Sequence, residues 1–396
     1  MVEIAERAPR ERRSLLTDPL ARSIFIQATL LVLIVGAGWY FYENARANLA
    51  AQRIATGLGF WNNTAGFGIS QTLIPYSETS TYGRAFVVGL LNTLLVAGLG
   101  IVFATALGFL VGVARLSKNW LIAKVAEVYV EVIRNLPLLF QILFWYLAVL
   151  SNLPSPRQSF SFFGLAFVNN RGLVVPEPIF NEGSGAVGIA FLAGLALAVI
   201  VRYWARARQM RTGQIFPAGR AALALIFVLP LLVYLVLGAP IRFDLPELKG
   251  LNFSIGLRII PEFIALLLAL STYTAAFIAE IVRAGILAVN KGQTEAAYSL
   301  GLRPGPTLRL VVVPQAMRVI LPPLTNQYLN LTKNSSLAVA IGYPDLFSVF
   351  AGTTLSQTGQ AIEIIAITMG VYLLISLVTS AIMSFYGWRI GRSLSA

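Results

Sequence analysis

Among the 396 residues, Lys333 has the sharpest chemical potential, because it is a cation set within the otherwise apolar stretch 319–341. A charge at bilayer depth is costly and faces either a partner or an aqueous cavity, and an ammonium group takes a carboxylate as its partner. Asn334, Ser335 and Ser336 follow and can add neutral hydrogen bonds. Two readings fit: Lys333 binds a ligand carboxylate, or it is a structural lysine that snorkels or pairs with Glu131 or Glu280. Glu131 and Gln141 lie along another stretch, 120–150, interrupted by Leu136-Pro137. There Glu131 can meet an α-amino group, or pair with Arg134 three residues along one helix face. A third group is Glu295-Ala296-Ala297 with Gly301 six residues after the glutamate. Asn290 or Thr294 can cap a short helix there, Glu295 suits the positive end of its dipole, and Gly301 followed by Pro304 stops it. About two turns of helix result, a small knob whose alanines let another surface come close to the backbone while Tyr298 and Leu300 offer apolar contact. An ordinary capped interfacial helix fits the same residues.

The chain contains no histidine or cysteine, so it has no disulfides, Cys/His metal sites, thiol nucleophiles or imidazole acid-base chemistry. No G-x-x-x-x-G-K-[ST] loop occurs to cradle nucleotide phosphates. We expect no catalytic residues, metal or cofactor in this chain. Its composition is 57% hydrophobic and 12% charged, with a mean hydropathy of +0.74, which excludes a soluble globular enzyme.

The elements that position these groups are therefore membrane spans. A helix crosses the roughly 30 Å apolar core with about 20 residues, and eight stretches qualify: 24–42, 86–114, 120–150 bent at Pro137, 185–201, 221–237, 259–289, 319–341 broken by Pro322-Pro323, and 362–386. Gly108 and Gly112 in the second allow close helix approach, a packing feature. The first stretch follows 23 polar residues and is too long for a cleaved signal, so it reads as a retained span. With the N-terminus placed inside, cytoplasmic segments carry twenty Lys and Arg and outer segments eight. The net charge of +13 is then the retention of basic residues in the cytoplasm, with both termini there, and nucleic acid is not required. The outer connections 43–83 and 151–184 hold Phe60, Trp61, Phe160, Phe162 and Phe163, which read either as a lid or docking rim or as interfacial aromatics.

Several motifs carry a resemblance. Glu295-Ala296-Ala297 with Gly301 resembles the EAA loop of ABC importer permeases, here at 290–306. Upstream, Ala279-Glu280-Ile281-Val282-Arg283-Ala284-Gly285-Ile286 resembles the family's AEIxRGGI, with Ala284 in place of a glycine. Downstream, Val313-Pro314-Gln315-Ala316-Met317-Arg318 resembles LPQALR, and Leu331-Thr332-Lys333-Asn334-Ser335-Ser336-Leu337 resembles the LKDTSL of the polar amino acid branch, with Asn334 where aspartate is common. Residues 129–141 resemble YxExxRGTPLLVQ, with Asn135-Leu136 in place of glycine-threonine. The outer segment 43–83 and the extra spans within 151–258 resemble the long permeases of general L-amino acid importers.

The resemblance implies an all-α membrane protein of about eight transmembrane helices, with a type I importer permease core containing two inserted helices. The expected parts are a cytoplasmic segment 1–23, a first helix 24–42, an outer loop 43–83, core parts 84–150 and 259–388, the insertion 151–258 and a cytoplasmic end 389–396. It implies a multi-pass subunit of the bacterial inner membrane that takes up polar L-amino acids and couples through Glu295, Ala296, Ala297 and Gly301 to a separate ATPase using ATP and Mg. Implied partners are a second homologous permease, a cytoplasmic ATPase dimer and a periplasmic solute-binding protein. The substrate path would involve Lys333, Asn334, Ser335, Ser336, Gln141 and Glu131.

Overall fold

The computed structural model describes residues 19–51 and 56–392; most of the expected segment 1–23 and the last residues of 389–396 lie outside them. Seven described helices are long and apolar enough to cross a membrane. These are α1 (Pro19–Ala51), α2 (Tyr82–Ala114), α5 (Ser184–Thr212), α6 (Ala218–Val236), α7 (Pro261–Leu287), α10 (Val313–Asn334) with flanking segments, and α12 (Ala361–Arg392). The helix α3 (Trp120–Asn135) and the segment Leu138–Asn152, which opens with α4 (Leu138–Leu143), form a pair bent by 107°, a broken eighth span or a re-entrant loop. Pro137 makes that bend, since residue Leu136 before it is driven to extended backbone. Three short helices complete the set: α8 (Lys291–Ser299), α9 (Pro304–Thr307) and α11 (Leu355–Thr358).

The core forms around α2 and α7, which run parallel and in close contact over most of their lengths. Glycine makes this possible: Gly108 lies against Ile278 and the Ala275 carbonyl, and Gly112 against Val282 and the Ala279 carbonyl. The packing reading of this pair therefore holds. Gly285 of α7 seats Ile320 of α10, and Gly100 of α2 faces Leu331. Pro322 and Pro323 sit inside α10. At the end of the α2 and α7 pair, Arg115 and Arg283 both hold Glu280, Arg283 at 2.6 Å.

The all-helical reading holds for the spans, but the connections add eight short strands that hydrophobic periodicity did not reveal. β1 (Phe160–Phe162), β2 (Ala166–Asn169), β3 (Gly172–Val175) and β8 (Leu257–Ile259) form an antiparallel four-stranded sheet. β4 (Glu177–Phe180) pairs with β5 (Ile241–Asp244), and β6 (Glu247–Lys249) with β7 (Asn252–Ile255). Strands this short escape a period-two search, and β3 finds its partner β8 more than eighty residues away. α5 and α6, between these strands, pack chiefly on each other.

The connection 43–83, expected to be an outer loop, divides. α1 continues through its first nine residues, and residues 59–82 fold back on the core. Phe60 and Trp61 meet Tyr82, Phe86 and Phe350 with ring centroids 5.1–6.1 Å apart. Their role is packing. Phe160, Phe162 and Phe163 remain exposed, Phe163 almost completely at the β1–β2 turn with φ 53°.

Candidate functional site

Lys333 lies in the last turn of α10 and lines a cavity of about 430 Å³, alongside Ser336, Phe347, Met369, Tyr372 and Ser376. α10 supplies the lysine, the following 3-10 turn (Ser335–Ile341) the serine, a π-helix (Phe347–Thr354) one wall and α12 the other. The structural pairings proposed for Lys333 are absent among the described residues. Glu280 is taken by the two arginines, and no described carboxylate lies within ion-pair distance of the lysine. The Ser376 hydroxyl on the same wall is buried and unbonded. The other polar groups of the lining are engaged. Ser336 Oγ donates to the Lys333 carbonyl at 2.8 Å, Thr368 Oγ1 to the Ile364 carbonyl at 2.7 Å, and the Tyr372 hydroxyl to Asp345 Oδ2 at 3.1 Å. An apolar cavity with one unpaired cation and one free hydroxyl suits a small molecule bearing a carboxylate.

The remaining predicted residues scatter. Ser335 is fully buried and donates back to the Thr332 carbonyl at 2.8 Å, away from the cavity. Asn334 is half-buried and outside the lining. Gln141 lies in a separate apolar cavity of about 390 Å³ with Tyr129, Phe140 and Trp145. Its Nε2 donates to the carbonyls of Ile133 and Leu136 at 2.9 and 3.0 Å, so it closes the end of α3 across the bend. Glu131 is exposed and lines neither cavity. Its expected pair with Arg134 does not form, because the guanidinium sits 5.1 Å from the Phe277 ring centroid instead. A spacing of three residues permits a pair, but the aromatic face on α7 outcompetes an exposed carboxylate.

Sequence reasoning missed the anchor behind the cavity. Asp345 is buried, accepts from the Ser348 amide at 2.8 Å and from Tyr372, and burial pushes its carboxyl up to about 6. Beside it, Asn92 of α2 donates to the carbonyls of Gln71 and Pro344, both at 2.9 Å, and Tyr343 donates to the Asn92 carbonyl at 3.1 Å. This network ties the folded-back segment before α2, α2 itself and the turn before the π-helix together. No spacing marks these residues, since each bonds to a partner from a distant part of the chain.

The knob forms as a nine-residue helix. Asn290, the first of the two proposed caps, accepts from the Gly292 amide at 2.8 Å. At the other end Leu302 N donates to the Ala297 carbonyl and Gly301 N to the Tyr298 carbonyl, a Schellman closure that needs the left-handed Gly301 (φ 79°). Glu295 and Ala296 face outward, whereas Ala297 is buried against the chain itself. Only one of the two alanines is therefore open to another protein. Gln293 accepts from Gln315 Nε2 at 3.1 Å, fixing the knob to the start of α10.

Residues 220–392 match the family described as "Binding-protein-dependent transport system inner membrane component". Over the whole chain, it is 54% identical to the general L-amino acid transport system permease protein AapQ of Rhizobium johnstonii, an alignment covering 94% of this chain and 93% of the relative. The putative amino-acid ABC transporter permease protein YhdX of Escherichia coli is also 54% identical, over 94% of this chain and 95% of its own. The glutamate/glutamine/aspartate/asparagine transport system permease protein BztB of Rhodobacter capsulatus is 42% identical, over 94% of each chain. Its apolar helices, its EAA-type helix between α7 and α10 and these full-length likenesses make the chain a member of the amino-acid ABC importer permeases, a multi-pass membrane subunit.

Proposed function

We propose that the chain forms part of the translocation path for polar L-amino acids in the bacterial inner membrane. In this reading it works with a second homologous permease, a cytoplasmic ATPase dimer that uses ATP and Mg, and a periplasmic solute-binding protein. The observation that carries it is Lys333, unpaired on a cavity large enough for an amino acid. A carboxylate arriving there exchanges water for the exposed Lys333 ammonium beside a mostly apolar wall, where a charge pair is stronger than in bulk water. Ser376 offers one further hydrogen bond, and the apolar walls accept the aliphatic part of the ligand. Glu131 and Gln141 lie away from this cavity, so the path assigned to this subunit narrows to Lys333, Ser336 and Ser376.

Coupling follows from α8. Its outward face presents Glu295 and Ala296, and its inner side rests on the π-helical turn Leu308–Val312 that leads into α10. A push on α8 thus passes directly to the helix whose last turn carries Lys333. Closure of the ATPase pair would move α8 and α10 as one body and switch the access of the cavity, a rigid-body transition. The chain holds no phosphate-cradling loop, so hydrolysis falls to the partner.

Uptake of radiolabelled glutamine by membranes holding the whole complex tests both halves. Lys333→Met is expected to cut uptake at least tenfold with assembly intact, and unchanged uptake removes the lysine from the path. Glu295→Arg is expected to keep assembly of the spans while lowering the uptake obtained per ATP hydrolysed; wild-type coupling in that variant rejects the role of α8.

A further inference from the structure

A third cavity, of about 580 Å³, lies where the α5–α6 hairpin meets the segment after α8, and Arg202, Arg206 and Arg309 line it. None of the three has an ion-pair or hydrogen-bond partner among the described residues. Their neighbour Arg208 shows the contrast: it donates to Gln214 at 2.8 Å and lies 5.4 Å from the centroid of the Trp204 ring. Arg202 and Arg206 are one turn apart on α5, a like-charge pair that repels, and Arg309 adds a third cation from the core. No Asp or Glu occurs anywhere in 184–236 or 304–334, so none of the contributing elements can supply the missing anion. Three convergent guanidiniums without a carboxylate form an anion site.

The position selects the anion. Arg202 is the first charged residue after Val201, where the apolar run of α5 ends, and that is the depth of lipid head groups. Trp204 packs edge-on to Phe216 at 5.3 Å, an aromatic pair of the kind that settles at the membrane surface. Phe216, Pro217 and Ala218 give the cavity an apolar floor on which acyl chains or glycerol can lie. We propose that this cavity binds the phosphate of an anionic phospholipid, whose head group bridges the α5–α6 hairpin to the segment that follows α8. Because the hairpin packs chiefly on itself, the lipid supplies the cohesion that protein contacts do not. A bidentate phosphate fits guanidinium forks, and a zwitterionic lipid fits worse because its choline brings a cation to a cationic site.

The test uses the full-length chain in nanodiscs of phosphatidylcholine, with or without phosphatidylglycerol, and counts lipid retained after release by native mass spectrometry. The expected result is retention of phosphatidylglycerol and not of phosphatidylcholine. Each single substitution, Arg202→Gln, Arg206→Gln or Arg309→Gln, should weaken retention about fivefold and the triple variant about a hundredfold, from the usual gain per basic residue near an anionic lipid. Arg211→Gln, on α5 but outside the cavity lining, should retain lipid as the wild type does, which separates site loss from general loss of charge. Equal retention of both lipids, or undiminished phosphatidylglycerol on the triple variant, overturns the proposal. So does displacement of the bound lipid by inorganic phosphate, which would assign the arginines to a soluble anion.

Discussion

The contact between α2 and α7 can be tested by adding one methyl group at a time. A Cβ placed on Gly108 would lie 2.6 Å from both Cβ and Cγ2 of Ile278 and 3.0 Å from the Ala275 carbonyl oxygen. On Gly112 it would lie 2.7 Å from the Ala279 carbonyl oxygen and 2.8 Å from Val282 Cβ. Carbon contacts settle at about 3.5–4.0 Å, so each methyl group is about 1 Å too close to atoms that cannot rotate away. The two helices would have to separate along their common seam. Overpacking of this kind costs about 1–3 kcal/mol, while replacing a helical glycine by alanine returns about 0.5–1 kcal/mol. The net expectation is a loss of about 1–2 kcal/mol for Gly108→Ala and for Gly112→Ala. Gly98 on the same helix has nothing within 4 Å of its notional Cβ, so Gly98→Ala should be neutral or gain stability. Thermal melting of the full-length permease in one mild detergent reads all three, with the seam variants expected several degrees below Gly98→Ala. If Gly108→Ala and Gly112→Ala melt at or above Gly98→Ala, the close parallel seam is not how these helices pack.

Gly301→Ala should loosen the end of α8 by about 1 kcal/mol through backbone strain alone, since the site has open space around it. Faster hydrogen exchange at the amides of Gly301 and Leu302, partly restored in Gly301→Asn, is the expected signature; indifference to both substitutions would dismiss the Schellman closure. Asp345 yields a pH dependence. Its carboxyl rises from the usual 3.8 to about 6 because burial disfavours the charge. A raised folded-state value means that its stabilising contribution is complete below about 3.8 and lost as pH rises through about 6. Melting temperature should therefore climb as pH falls from 7 toward 5, and Asp345→Asn should flatten that climb; an identical slope in the variant would assign it to other groups.

Much of the molecule was legible in the order of its residues. Runs of about 20 apolar residues must become helices in a bilayer because unpaired backbone groups have no water to bond there, and this fixed the spans. Pro137 marked the bend, Asn290 and Gly301 marked the ends of α8, and the EAA-type segment pointed to the family. These are local properties, set within a few residues. The strands were not legible, since a strand of three or four residues exists only when a distant partner completes its hydrogen bonds, as β8 does for β3. The candidate site divides the same way. Sequence flagged Lys333 as a costly charge, but only packing decided that Glu280 would be claimed by Arg115 and Arg283 and the lysine left on a cavity. Local bonds to nearby backbone carbonyls withdrew Ser335 and Gln141, while packing brought Ser376 and Asp345 into play. Sequence thus determined which segments are long and apolar enough to span the membrane and where α8 begins and ends, because hydrophobic length and capping act locally. Tertiary structure alone decided which polar and charged groups found partners on distant segments, as Glu280 did on Arg115 and Tyr343 on Asn92, because that depends on what a fold brings within about 3 Å.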